Sequence, residues 1–182
     1  MQKAYTSGEN LRYIFFWKPT PSLNGELTKS CLGQWFKSLF IIDGITYACA
    51  EQYMMAQKAR LFKDDEILKQ ILDTNDPKKM KALGQKVKSF NQSVWDANKF
   101  DIVLKGNYAK FSQNEELKAF LLATKNYVLV EASPLDKIWG IGLKENDKNA
   151  KNPLLWKGKN LLGFALMEVR KKLQHNIFDN NI

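Results

Sequence analysis

Two charged side chains, Glu51 and Lys58, stand seven residues apart in a stretch of good helix formers, AEQYMMAQKARLF. This spacing places both on one face of a helix, which Met54, Met55 and Phe62 share. Because the helix is apolar over much of its circumference, we expect it to be buried, with the two charges about 10 Å apart and lining opposite ends of a pocket. A carboxylate there can activate water, and a desolvated lysine can act as a nucleophile. The alternative is a half-exposed helix carrying two solvated charges.

A second group of chemically useful residues surrounds a glycine-containing loop. It comprises Glu131, Asp136, Trp139 and Gly140. Carboxylates can position a sugar hydroxyl, a tryptophan offers a flat face to a base, and glycine allows the backbone to approach a ligand closely. The alternative interpretation is structural, with Asp136 capping the loop beside a core aromatic.

The segment WKGKN, from Trp156 to Asn160, precedes the last predicted helix. Its backbone N–H groups and lysines are suited to binding phosphate at the N-terminus of that helix. The competing interpretation is ordinary N-capping of the helix by Asn160.

Several familiar centres are missing from the sequence. There is no GxGxxG, P-loop or HExxH motif, and the only histidine is His175. Cys31 and Cys49 are too few for a disulfide framework or a metal cluster. We therefore predict no metal and no cofactor, and we expect acid–base work to fall to carboxylates, lysine or tyrosine.

Composition indicates one globular domain. The chain has 182 residues, of which 45% are hydrophobic and 26% charged. No apolar run reaches the roughly 18 residues typical of a membrane span, and no signal peptide is evident, so we expect a cytoplasmic protein without a membrane partner. The net charge of +9 comes mostly from lysine and is typical of a chain with a phosphate-bearing partner, either a small molecule or nucleic acid. The alternative is that the lysines are surface residues that keep the protein soluble. Residues 76–110 alone hold eight lysines and three acids.

The elements that must position these residues follow from local patterns. Tyr13–Trp17 is a predicted strand that ends before Pro19 and Pro21, and Asp43-Gly44 predicts a hairpin over Leu39–Tyr47. Helices are predicted at 50–62, 64–73, 78–87, 94–110, 115–124 and 161–173, with a strand at 127–132. The predicted fold is α+β, a mostly helical single domain with a small N-terminal sheet, spanning 1–182 with a core at about 13–173 and a frayed tail at 174–182.

Taken together, these segments resemble the NADAR family of YbiA-like N-glycosidases. The segments that carry the resemblance are FFWKPTP, CLGQWFKSLFIIDGITYACAEQYMMAQKARLF, KGNYAKFSQNEELKAFLLATKNYVLVEAS, DKIWGIG and WKGKNLLGFALMEVRKKL. They run in the family's order over nearly the whole chain. The resemblance implies a helix-rich α+β domain that hydrolyses N-glycosidic bonds. One branch of the family acts on ribosylamino-pyrimidine phosphates of riboflavin synthesis, and another removes ADP-ribose from guanine in nucleic acid.

The resemblance also assigns roles to residues. Glu51 matches the acidic residue of an SEH or AEH helix motif, and Lys58 matches a lysine for which an imine with the ribose has been suggested. With Asp136, these are the predicted catalytic residues. The predicted substrate-binding residues are Gln34, Trp35, Trp95, Glu131, Trp139, Gly140 and Asn160. The chain departs from the family at Gln52, which replaces the motif's histidine, and at Gly33, where serine is common.

The expected chemistry is therefore hydrolysis of a phosphorylated ribosyl or ADP-ribosyl substrate, the latter carried on guanine of nucleic acid. Glu51 or Asp136 would stabilise the oxocarbenium-like ribose or activate water; alternatively Lys58 would attack the sugar carbon. A different class of function also fits these residues, namely a non-catalytic module that binds ADP-ribose or nucleic acid.

Overall fold

The computed structural model of the chain describes residues 1–18, 22 and 26–175. Its strands are β1 (Tyr13–Phe16), β2 (Phe40–Ile42), β3 (Ile45–Tyr47) and β4 (Val128–Glu131). Its helices are α1 (Gln2–Thr6), α2 (Ala50–Leu61), α3 (Asp65–Leu72), α4 (Pro77–Gly84), α5 (Gln92–Ser112), α6 (Glu115–Ala123) and α7 (Leu161–Gln174). A 3₁₀ turn covers Lys29–Leu32. The predicted α+β, mostly helical fold is confirmed.

Most predicted elements lie where local patterns placed them. At the turn of the β2–β3 hairpin, Asp43 and Gly44 have φ of 53° and 74°, as a two-residue primed turn requires. Asp76 caps α4 by accepting a hydrogen bond from the N–H of Lys78, and Pro77 is the first helical residue. Helix α5 extends two residues beyond its predicted span at each end.

Three features were not predicted: α1, the 3₁₀ turn, and the pairing of β1 with β4. These two strands are parallel and form one two-stranded sheet, while β2 and β3 form the other. Pro19, Pro21 and most of the predicted frayed tail, residues 176–182, lie outside the described residues.

One compact unit consists of Met1–Gly33 and the chain from Glu116 through α7. Its β1–β4 pair aligns Tyr13 with Val128, and α7 packs against β4. Helix α7 lies this close because Gly163 faces the strand: a Cβ there would stand 2.0 Å from the carbonyl oxygen of Leu129. Apolar side chains from the strands and the following loop form the core of this unit. They include Phe15, Val128, Val130, Ala132, Ile141 and Leu143.

The other compact unit, Gln34–Glu115, contains the hairpin and α2–α5. Helix α2 is central to it, because α3, α4, α5 and β3 all pack against α2. Gly106 lets α5 approach α2 closely, since a Cβ there would lie 2.5 Å from the ring of Tyr53. That ring also packs edge-on against Tyr47. That the whole chain forms a single domain stays a prediction.

Candidate active site

Helix α2 is buried over most of its length, as its apolar circumference predicts. Ala50–Ala56 and Ala59 are all buried, and Glu51 in the first turn is only 4% exposed. The alternative of a half-exposed helix with two solvated charges is therefore wrong. Glu51 stands in the first turn of α2, where the positive end of the helix dipole interacts favourably with an acidic side chain. The N–H of Glu51 donates to the carbonyl oxygen of Gln34 at 3.0 Å.

Gln34 connects the start of α2 with α5. Its Oε1 accepts a hydrogen bond from Asn107 Nδ2 at 2.8 Å, and its Nε2 lies 3.9 Å from the sulfur of Met54. Asn107 is fully buried on α5 and also donates to the carbonyl oxygen of Val103. The hydrogen bond from Asn107 holds the side chain of Gln34 in place, and the backbone carbonyl of Gln34 accepts the hydrogen bond from the N–H of Glu51. Trp35, the next residue, is half-buried.

A third charged group of this region, Lys110, was not among the predicted site residues. Its side chain is fully buried on α5, with Nζ 5.0 Å from the ring centroid of Phe111 and 5.6 Å from that of Phe36. Burial raises the pKa of the nearby Cys49 thiol, which the charge of Glu51 also raises and that of Lys110 lowers. Both charges therefore act on one buried thiol. Lys110 was missed because its position near the end of a predicted helix is also typical of a solvated lysine, so the sequence pattern does not indicate its burial.

Lys58 lies two turns after Glu51 and is enclosed by aromatic rings. Its Nζ stands 4.2 Å from the ring centroid of Phe90 and 5.6 Å from that of Trp95. Burial lowers the pKa of the half-buried Lys58 amine from its ordinary value. Trp95 is only 8% exposed. A lysine that loses its proton more readily than usual is better suited to nucleophilic attack.

In the other compact unit, Asp136 organises the loop that contains Trp139. Its Oδ1 accepts hydrogen bonds from the N–H groups of Ile138 and Trp139 at 2.8 and 2.7 Å, so the loop-cap interpretation is confirmed for this oxygen. Gly140 is buried where a Cβ would lie 2.8 Å from the carbonyl oxygen of Glu131. The lack of a side chain at Gly140 therefore allows the loop backbone to pack closely against β4. The catalytic role of Asp136 and the binding roles of Glu131, Trp139 and Gly140 stay predictions.

Asn160 is fully buried, and its side chain is used inside this unit. Its Oδ1 accepts from the N–H of Glu131 at 3.0 Å, and its Nδ2 donates to the carbonyl oxygen of Leu129 at 2.9 Å. The residue adopts a left-handed conformation, φ 54°, and its side chain makes no capping hydrogen bond to α7. The N-capping interpretation is therefore wrong for the side chain, while the substrate-binding role of Asn160 stays a prediction.

The backbone before α7 does not match the predicted phosphate cradle. The N–H groups of Lys157, Lys159 and Asn160 donate to carbonyl oxygens of residues 137–141. Those of Leu161 and Leu162, at the start of α7, do the same. Since these donors are already engaged, the expectation that they bind phosphate is wrong. A cavity of about 530 Å³ borders this segment, lined by Lys3, Lys159, Trp156 and Phe164 among others.

Gln52, which replaces the motif's histidine, is buried beside Glu51 and has a structural task. Its Oε1 accepts from the N–H of Ala48 at 2.7 Å. Its Nε2 donates to the carbonyl oxygens of Ile71, in the last turn of α3, and of Thr74, just beyond that helix, each at 3.0 Å. These bonds tie the start of α2 to the end of α3. A neutral histidine has one acceptor and one donor nitrogen, so it could replace the bond with Ala48 and one of the two bonds to the carbonyl oxygens of Ile71 and Thr74.

Within the described residues, no three or more histidine, cysteine, aspartate or glutamate side chains are grouped so as to hold a metal ion. In the same part of the chain, every helix is too short or too polar to cross a bilayer. The cytoplasmic location stays a prediction.

Comparison with known proteins decides the family. The model of the NADAR domain matches residues 15–174. The chain belongs to the NADAR family. It is 44% identical over 171 residues to a protein named N-glycosidase R617 from Acanthamoeba polyphaga mimivirus, covering 91% of this chain and 99% of that protein. It is 34% identical over 132 residues to N-glycosidase YbiA of Escherichia coli K12, covering 72% and 74% of the two chains.

A solved structure is similar to the fold of this chain. The NMR structure of E. coli YbiA superposes with a TM-score of 0.70 at 27% identity and covers 93% of this chain and 90% of that one. The resemblance noted from the sequence is therefore confirmed, and with it the YbiA-like fold. Another NADAR relative, Protein irg-1 of Caenorhabditis elegans, is 41% identical over 131 residues, covering 71% of this chain and 62% of that protein.

Proposed function

We propose that this chain is a hydrolase that cleaves the N-glycosidic bond of a phosphorylated ribosyl compound. Membership of the NADAR family and the relatives named N-glycosidase support the general reaction. The observation that carries the proposal is the content of α2. This helix bears a buried carboxylate, Glu51, and an aromatic-enclosed lysine, Lys58, on one face.

Cleavage of an N-glycosidic bond builds positive charge on the ribose ring as the base departs. An ionised Glu51 stabilises that charge, because electrostatic interactions are strong where water is excluded. Glu51 then accepts a proton from the attacking water, and the departing base takes up a proton in turn. The products are a free amine and ribose phosphate for a ribosylamino-pyrimidine phosphate, or unmodified guanine in the nucleic acid and ADP-ribose for ADP-ribosyl-guanine.

The covalent alternative uses Lys58. Its neutral Nζ forms a bond to the anomeric carbon while the bond from that carbon to the base breaks, and the base leaves with a proton. Ring opening gives an imine, which water hydrolyses to regenerate the amine. The lowered pKa of Lys58 supports this route, because only the neutral amine attacks.

Two substrates suit this chemistry: a ribosylamino-pyrimidine phosphate, or ADP-ribose attached to guanine in nucleic acid. Charge favours the second, although less than the sequence suggests. Of the eight lysines in residues 76–110, four are buried or lie beside a carboxylate: Lys88, Lys99, Lys105 and Lys110. The remaining four, Lys78, Lys79, Lys81 and Lys86, are exposed. In the other unit, Lys3 and Lys159 line the cavity near Trp156, and we propose that they favour a phosphate.

The deciding experiment is turnover. The protein is incubated with ADP-ribosylated DNA and with ribosylamino-pyrimidine phosphate. Released ADP-ribose is quantified for the first substrate, and the released pyrimidine for the second. Glu51→Gln should abolish release from the true substrate while the fold survives. The matched control is Glu66→Gln, since Glu66 is an exposed acid paired with Lys88. Release by neither route, with ADP-ribose or nucleic acid still bound, would favour the non-catalytic binding module.

A further inference from the structure

Phe90 is an exposed aromatic ring that is held firmly in place. It lies between α4 and α5 and is 41% exposed. The Lys58 ammonium is 4.2 Å from its ring centroid, and the ring of Phe62 packs against it at 5.2 Å and 60°. Lys58 and Phe62 therefore cover only part of Phe90, and the rest is exposed. Part of this aromatic residue therefore remains accessible to a ligand beside the half-buried amine of Lys58.

The backbone around Phe90 is fixed at both ends. The N–H of Lys88 donates to Asp64 Oδ2 at 2.8 Å. Asn91 Oδ1 accepts from the N–H of Val94 at 3.1 Å and caps α5. Ser89 adopts φ of 53°, a left-handed conformation that is costly for a residue with a Cβ. The ring is thus preorganised, and a ligand that stacks on it loses little additional conformational freedom of the protein.

Among the rings beside Lys58, Phe90 has the more accessible surface. Trp95, which the sequence assigns to the substrate, is only 8% exposed and is beside the same ammonium. Val94, at the start of α5, is another exposed apolar residue, at 40%. A stacking partner for the substrate is therefore more accessible at Phe90 than at Trp95.

We infer that Phe90 is a substrate-binding residue of the Lys58 site, and that its exposed ring stacks on the aromatic base of the ligand. The inference rests on the proposed function, because it places the base beside the amine that would attack the sugar. Stacking on an aromatic side chain tolerates purines and pyrimidines alike, since every base presents a π-face. The recognised class is therefore a nucleotide, and the base contributes to its affinity.

The test compares ligands with and without a base. Guanosine 5′-monophosphate, uridine 5′-monophosphate and ribose 5-phosphate are titrated calorimetrically against the wild type, Phe90→Leu and Phe90→Tyr. We expect Phe90→Leu to weaken binding of both nucleotides by about 5- to 100-fold. Binding of ribose 5-phosphate should stay unchanged, and Phe90→Tyr should restore nucleotide affinity. The matched control is Leu135→Ala, an exposed apolar residue of the other unit, which should change nothing.

Three results would overturn the inference. The first is a wild type that binds the nucleotides no better than ribose 5-phosphate, and the second is equal weakening of all three ligands by Phe90→Leu. The third is full nucleotide affinity in Phe90→Leu. Because these measurements need no turnover, they separate the inference from the proposed reaction. A protein that cleaves neither substrate but binds nucleotides through Phe90 would refute hydrolysis alone.

Discussion

Replacement of Asn160 by alanine should destabilise the protein without removing a contact to substrate. The change deletes the side-chain hydrogen bonds to Glu131 and Leu129 and leaves a Cβ residue at φ 54°. Each lost buried bond costs about 1 kcal/mol. Alanine in the left-handed region costs about 1 kcal/mol more. The free energy of unfolding should therefore fall by about 3 kcal/mol, which corresponds to a melting temperature lower by roughly 6–12 °C.

Urea unfolding followed by circular dichroism measures this change as a lower midpoint at constant slope. Asn160→Gly separates the two causes, because glycine tolerates the dihedral and loses only the bonds, so it should recover about 1 kcal/mol. The KM of the folded alanine variant should be close to wild type. A variant of unchanged stability whose KM rises tenfold would refute the reasoning and show that the Asn160 amide faces the substrate.

Four further predictions concern the Gln34–Glu115 unit. Borohydride added during turnover should trap a sugar adduct on Lys58, and Lys58→Arg should lose both adduct and activity because arginine stays protonated; substantial activity in Lys58→Arg would leave the lysine a role as a cation only. Since the folded pKa of Lys58 lies below its ordinary 10.5, kcat should rise with pH and level off through an apparent pKa below that value. Gln52→Ala should lower the free energy of unfolding by about 2–4 kcal/mol, and Gln52→His by about 1 kcal/mol or less, as measured by denaturant titration. Equal losses in the two variants would show that histidine does not take over hydrogen bonds of Gln52. The pKa of Asp64 lies below its ordinary 3.8, mainly because its carboxylate accepts a hydrogen bond from the N–H of Lys88 and also because it accepts one from the N–H of Ile67. Its stabilisation is thus complete above 3.8 and is lost as pH falls through the folded pKa, so the melting temperatures of wild type and Asp64→Asn should converge on acidification.

Features set by neighbours in sequence could be predicted without the structure. The primed turn at Asp43-Gly44 and the cap at Asp76 follow from local backbone preferences. The burial of α2 follows from its apolar circumference, and with it the low exposure of Glu51. These predictions succeeded because each depends on contacts within a few residues, or on one face of one helix.

Features set by distant residues could not be predicted. Asn160 looks like a helix cap, yet its amide bonds to β4, a partner about 30 residues away. Lys110 has the pattern of a solvated lysine and is fully buried. Phe90 follows a residue of unusual φ and reaches Lys58 across a gap of about 30 residues. In each case the tertiary environment overrides the preference of the residue type.

The pairing of β1 with β4 has a consequence for synthesis of the chain. Roughly 110 residues separate the two strands, and the Gln34–Glu115 unit is encoded between them. At a translation rate of about 5–20 residues per second, Tyr13–Phe16 waits roughly 6–20 s for its partner to be made. The intervening unit has its own helices and hairpin and is made in full during that delay. The strand that leaves the ribosome first is thus paired late, and its aromatic residues are available to chaperones for the whole interval.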